Sequence, residues 1–124
     1  MISERFITYV EESIKKNWEI EALSNYREKG YTYKEIAEVM VKHHIVFREY
    51  GIVEGDKIAL LGRNSARWCA MYLAVVTYGA VIVPILPDFK PDDLHNIINH
   101  SDSKLLFIDD IIWELLDAEK MKEI

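Results

Sequence analysis

The turn Gly62-Arg63-Asn64-Ser65 is the first place in this 124-residue chain where residue types and spacing admit chemistry. It follows a short apolar run and precedes an apolar helix. That puts it at the carboxyl end of a strand, where an open α/β sheet holds ligands. Arg63 beside the N-terminus of the following helix would meet a phosphate there. The turn has neither the glycine spacing of a dinucleotide fingerprint nor the Gly-Lys-Ser/Thr of a phosphate loop. A solvated turn whose side chain caps the helix is the simpler account. Arg67 places a further positive charge in the first helical turn, against the helix dipole, and is read as a small stability cost or as half of an ion pair.

The histidines invite a metal or acid–base reading. His43 and His44 are adjacent on a helix, so their side chains diverge by about 100° and do not converge on one ion. His95 and His100 are five residues apart, again off the same-face spacing, and no Cys cluster or Glu-x-x-His supplies further ligands. All four are read as structural. Asp109-Asp110 follows a strand, as the acidic pocket of a receiver domain does. The earlier strand ends Leu61-Gly62-Arg63 without the partner carboxylates, so helix capping accounts for the pair. Trp18, Trp68 and Trp113 lie among apolar neighbours and are expected in the core, not as a stacking platform for bases.

The elements that position these residues are legible in order. Ser3 to Trp18 sets Phe6, Val10, Ile14 and Trp18 on one side of an amphipathic helix, whose mixed charges favour packing on its own domain over a membrane surface. Ala22 to Tyr26 and Tyr31 to Tyr33 form a β-hairpin, with Gly30 expected at positive φ. Thr32 and Glu35 make a capping box, opening a helix with Ile36, Val39, Met40, His43, Phe47 and Tyr50 on its inner stripe and Gly51 at its close. Lys57 to Leu61 is a strand covered on both faces. Asn64 or Ser65 caps the next helix, which is apolar almost all round from Trp68 to Val76 and so is expected to be buried on more than one side. Gly79 ends it in the left-handed region. Ala80 to Val83 is a second strand, stopped by Pro84. Pro91, with Asp92 and Asp93 in the first turn, opens a further helix, with Phe89 and Leu94 placed to staple it. Leu105 to Ile108 is a third buried strand. Asp109 or Asp110 caps a last amphipathic helix carrying Ile112, Trp113, Leu115 and Leu116. The predicted fold class is α/β, a partial parallel sheet with flanking helices (βαβαβ), preceded by an N-terminal helix and a β-hairpin.

Taken in sequence, these pieces carry a resemblance. Tyr31-Thr32-Tyr33-Lys34-Glu35, Gly51-Ile52-Val53-Glu54-Gly55-Asp56-Lys57-Ile58-Ala59, Asn64-Ser65 before an apolar helix, Tyr78-Gly79-Ala80-Val81-Ile82-Val83-Pro84 and Ser101-Asp102-Ser103-Lys104-Leu105-Leu106-Phe107 follow one another over roughly residues 20 to 112. In order and spacing the chain resembles the N-terminal part of the AMP-forming acyl-CoA synthetases, the adenylate-forming ligases. The opening segment is most like the long-chain fatty-acid branch. The resemblance implies that residues 1–124 are a single N-terminal α/β subdomain of a larger adenylate-forming domain. It implies a parent enzyme that joins a fatty acid to coenzyme A through an acyl-adenylate, with ATP, magnesium and CoA. Such an enzyme needs a Ser/Thr/Gly-rich phosphate loop, groups holding adenine, ribose and metal, and a lysine on a mobile C-terminal domain. None of these is in this sequence, so no catalytic, cofactor-binding or metal residue is assigned here. In the family the position of His44 is usually small, so its imidazole departs from the pattern and puts the local packing in question.

Composition narrows the remaining classes. A net charge of -6 argues against nucleic acid. No apolar run approaches the ~20 residues that span a bilayer, and Ile2 to Trp18 carries charges throughout, unlike a signal peptide. Cys69 is the lone cysteine, so no intrachain disulfide forms and a cytoplasmic setting is expected. The sequence ends on Met121-Lys122-Glu123-Ile124 without a cap or proline, which predicts that the natural chain continues. The alternatives are a stand-alone flavodoxin-like binding or signalling module and a small interaction domain. The partner expected is the remainder of the parent chain. On its own the chain is expected to self-associate through uncovered surface, the hairpin or the last helix supplying the contact.

Overall fold

The computed structural model describes residues 5–121 and 124. Its elements run α1 Phe6–Lys16, β1 Glu21–Leu23, β2 Tyr31–Thr32, α2 Tyr33–Glu49, β3 Lys57–Leu61, α3 Ala66–Tyr78, β4 Val81–Ile85, α4 Pro91–His100, β5 Leu105–Ile108 and α5 Asp110–Trp113, with a 3-10 turn at Ala118–Lys120. The predicted order of elements is the observed one. The expected helix start at Ser3 lies outside the described residues.

Three parallel strands form the sheet in the order β4-β3-β5. Ile58 pairs with Ile82 on one side and Leu105 on the other; Leu61 pairs with Ile85 and Ile108. Alternation along the strands sends side chains to two faces, and each face has its own core. On one, Ile58 with Ile82, Leu105 and Phe107 meets Ile36, Met40 and Phe47 of α2 and Ala70, Ala74 and Val75 of α3. On the other, Ala59 and Leu61 with Val83, Leu106 and Ile108 meet Leu94 and Ile98 of α4, Ile112 and Met121. β3 is therefore the buried strand the apolar run required. β5, at an edge, is only half-buried along its length rather than fully buried.

Capping chemistry starts the helices where it was expected. Thr32 Oγ1 accepts the Glu35 N–H at 3.2 Å while Glu35 Oε1 accepts the Thr32 N–H at 3.1 Å. Ser65, rather than Asn64, caps α3, accepting the Trp68 N–H at 3.1 Å. Gly79 ends α3 at φ 97°. Pro91 opens α4 with Asp92 and Asp93 in its first turn, and Asp109 caps α5.

Several expectations give way. β4 runs through Pro84 to Ile85 instead of stopping before it, because β4 is an edge strand and its outward positions need no N–H. Gly30 is not at positive φ; Arg27 is, at 62°. What Gly30 supplies is room, since a Cβ there would run into the Glu21 side chain. Tyr50 points away from the core and is 69% exposed. The last helix is a single turn, with Leu115 outside it and exposed. α1 has no fully buried residue, and Phe6 at its start is exposed. α3 fully buries only the stripe Ala66, Ala70, Ala74 and Val75; its other apolar side chains are half-buried. Of the three tryptophans expected in the core, Trp18 is 41% and Trp113 45% exposed, and Trp68 is half-buried. Phe89 stays largely exposed while Leu94 is buried.

Candidate functional site

The carboxyl ends of β3 and β5 open into a cavity of about 580 Å³ between α2 and α3. This is where the strand order reverses about β3, the place at which open parallel sheets take ligands. Val39, Met71, Trp68 and Phe107 make its apolar wall, and Arg63 and Asp109 stand at its mouth. Trp68 is held there by stacking on Tyr72, ring centroids 5.6 Å apart. Gly62, Arg63 and Ser65 of the turn that the spacing singled out line part of it.

Two backbone donors just beyond the turn, however, are already engaged. Ser65 Oγ takes the Trp68 N–H, and the carboxamide oxygen of Asn25, from the loop after β1, accepts the Ala66 N–H at 2.8 Å. Two of the amides that a phosphate would need at the head of α3 are consumed inside the protein. Arg63, with a 73% exposed side chain, lies 3.6 Å from Asp88. Gly62 offers no tight backbone cradle either, since a Cβ there would meet only ordinary contacts. Among the described residues no group of three or more His, Cys, Asp or Glu side chains is placed to hold a metal ion. The described residues do not fit an ATP–magnesium site. Asn25 is the residue that sequence reasoning missed, because its partner lies 41 positions away.

Three of the four histidines, His43, His44 and His95, have a local task. His43 Nδ1 donates to the Val39 carbonyl at 2.8 Å, and its ring packs edge-on to Phe107 while bordering the cavity. His44 crosses from α2 to α3, where its Nε2–H donates to the Ala74 carbonyl at 2.9 Å with Thr77 Oγ1 at 3.1 Å. Its ring also packs against Phe47 and Tyr78. The imidazole that departs from the family's small residue therefore joins the two helices. Burial pushes its pKa down; the Ala74 carbonyl opposes this, and the charges of Arg48 and His43 add to it. His95, 4% exposed, accepts the Asp117 N–H at Nε2 (2.9 Å) and faces Asp92 from Nδ1 at 3.4 Å. The Lys120 ammonium, and after it His95, hold the Asp92 carboxyl below its ordinary value. This cluster fastens the 3-10 turn to α4. At the opposite end of the sheet the Val53 N–H, then Lys104 at 3.0 Å, lower the Asp56 carboxyl.

Asp109 and Asp110 both accept the Ile111 N–H, at 3.2 and 3.0 Å, as capping demands. Arg67 has no ion pair among the described residues, so its cost to the helix stands. No helix among the described residues is long and apolar enough to cross a membrane.

Comparison with known proteins bears on the same elements. The family model described as "AMP-binding enzyme" matches residues 10–124. A 4-hydroxybutyrate–CoA ligase of Metallosphaera sedula is 35% identical over 86 residues, covering 68% of this chain and 16% of the relative. A long-chain-fatty-acid–CoA ligase of Thermus thermophilus is 35% identical over 71 residues, covering 57% of this chain and 13% of the relative. The chain thus spans between 10% and 16% of the length of curated relatives it matches. In structure, the anthranilate CoA ligase AuaEII superposes with a TM-score of 0.86 at 18% identity, over 95% of this chain and 23% of that one. That likeness is one of fold.

Proposed function

The chain belongs to the AMP-binding enzyme family, and from that premise we propose that it is the N-terminal scaffold of an AMP-forming acid–thiol ligase. The parent enzyme couples ATP, a fatty acid and coenzyme A to acyl-CoA, AMP and pyrophosphate through an acyl-adenylate. The single observation that carries this is a family match across the whole sheet by a chain that spans only 16% of a CoA-ligase relative. A relative that acts on long-chain fatty acids supports the acyl class; another acts on 4-hydroxybutyrate, so chain length is the finer part of the proposal. The stand-alone flavodoxin-like module has no support in these matches.

The scaffold's own work is mechanical. Residues 1–124 act as one subdomain whose sheet and two cores hold the adjoining parts of the parent in place. The same proposal holds it inactive by itself; in support, Asn25 and Ser65 take two of the amides at the head of α3 that a phosphate would need. The lone Cys69 fits a reducing cytoplasm.

ATP–pyrophosphate exchange with a panel of carboxylic acids tests both halves. The natural gene product should exchange with fatty acids, and the 124-residue chain alone should not. Exchange by the 124-residue chain, or a reading frame that stops at Ile124, would overturn the scaffold reading. Exchange by the gene product only with aryl acids would overturn the fatty-acid assignment.

A further inference from the structure

We propose that His95 is a proton-operated latch: its neutral imidazole fastens the segment Asp117–Met121 to α4, and mild acid releases it. The inference does not depend on the ligase reading. His95 is a buried ring in the middle of α4. Its Nε2 accepts the Asp117 N–H at 2.9 Å. A ring nitrogen that accepts carries no proton, so the neutral ring holds its hydrogen on Nδ1, the atom 3.4 Å from Asp92. Imidazole is the side chain whose charge changes between about pH 5 and 8. The proton taken up goes to Nε2, where it meets the Asp117 N–H head-on. A bond becomes two opposed donors.

The surroundings place the cost of that proton on the segment rather than on the helix. On the ring's own helix Asp92 supplies a counter-charge beside Nδ1. From the 3-10 turn Lys120 lies 3.3 Å from the same Asp92 oxygen, and Asp117 Oδ1 accepts the Glu119 N–H at 3.0 Å. To serve Nε2 instead, that oxygen has to give up the cap of the 3-10 turn. The rest of the fastening is light. Asn99 Nδ2 donates to the Lys120 carbonyl at 2.7 Å, and Met121 is the one buried side chain of the segment. His95 Nδ1 and Asn99 Oδ1 are buried without a completed hydrogen bond among the described residues, so the cluster holds no second bond to replace the lost one. Met121 packs with Leu94, Ile98 and Ile112 and borders an open groove of about 570 Å³ beside Leu106 and Ile108. Release of the segment therefore withdraws Met121 and widens that groove.

NMR of the protein between pH 8 and 5 tests the latch. The protection factor of the Asp117 amide, corrected for intrinsic exchange, should fall about tenfold, the scale of one buried hydrogen bond. The Met121 methyl signal should shift along the same curve, while the amides of Leu94 and Ile98 stay protected. His95→Gln offers an amide oxygen to the Asp117 N–H and takes up no proton, so it should keep the segment fastened throughout the range. Asp92→Asn removes the counter-charge and should move the release to lower pH. The wild-type titration stands without either variant. An Asp117 amide unprotected already at pH 8, or equally protected down to pH 5, overturns the proposal. So does a release that persists unaltered in His95→Gln, or one in which the amides of α4 open together with Asp117.

Discussion

Asn25 and Ala66 meet at the head of α3, the carboxamide oxygen of one 2.8 Å from the amide nitrogen of the other. Through this bond the loop after β1 does for the central helix what Ser65 does from within the chain. The hairpin is therefore tied into the βαβ unit by a capping interaction, at the spot where a ligand-binding turn was conceivable.

Replacing either cap should be felt globally. Asn25→Ala and Ser65→Ala are each expected to lower stability by about 1 kcal/mol, the usual cost of an N-cap oxygen. Urea midpoints measure this. A wild-type midpoint for Asn25→Ala would mean that the loop is not docked on α3.

Aromatic truncations should rank by burial. Phe47 is fully buried and packs edge-on to Tyr78 and Phe107 at 5.3 and 5.8 Å. Phe47→Ala is expected to cost about 3–5 kcal/mol, against a total of about 5–15 for a typical domain. Trp68, half-buried and stacked on Tyr72, should cost clearly less. Chemical denaturation of both variants decides it; equal losses would place Trp68 in the core after all.

Acid should weaken the α2–α3 contact. The folded pKa of His44 lies below its unfolded value of about 6.5, so the unfolded chain takes up the proton first. Its contribution is complete above about pH 6.5 and is lost as the pH falls toward the folded value. His44→Gln, which keeps a donor for the Ala74 carbonyl, should flatten that part of the pH–stability curve. An unchanged slope between neutral and mildly acidic pH would remove His44 from the account.

The glycines should separate cleanly. Gly79 at φ 97° has a conformation an L side chain resists, so Gly79→Ala is expected to cost about 1–2 kcal/mol. Gly30→Ala should be nearly neutral, because only the flexible end of Glu21 has to move. Thermal midpoints of the two variants test the contrast.

What could be read beforehand follows the range of the interaction. β3, the Thr32–Glu35 box and the Gly79 stop depend on neighbours within a few residues, and all stand where the sequence placed them. Asn25 could not be found that way, since its chain neighbours say only that it lies in a turn. Pro84 misled because a proline ends a central strand but not an edge one, and strand order is a property of the whole sheet. Trp18 and Trp113 misled for a related reason: apolar neighbours in sequence do not say which face of an element is covered. The cavity at the ends of β3 and β5 was foreshadowed by Gly62-Arg63-Asn64-Ser65, whereas its far wall came from α2 and was not.

The order β4-β3-β5 also has a history written into it. The middle strand is the first of the three to be made, and it takes its neighbours from opposite sides at different times. β4 follows after one helix; β5 arrives about twice as far along the chain, which adds only about 0.6 kcal/mol to closing the loop. Equilibrium hardly notices the difference, but a growing chain does. Until Leu105 leaves the ribosome, one flank of β3 has no strand to pair with, and half of the most buried segment of the finished protein waits open to whatever passes.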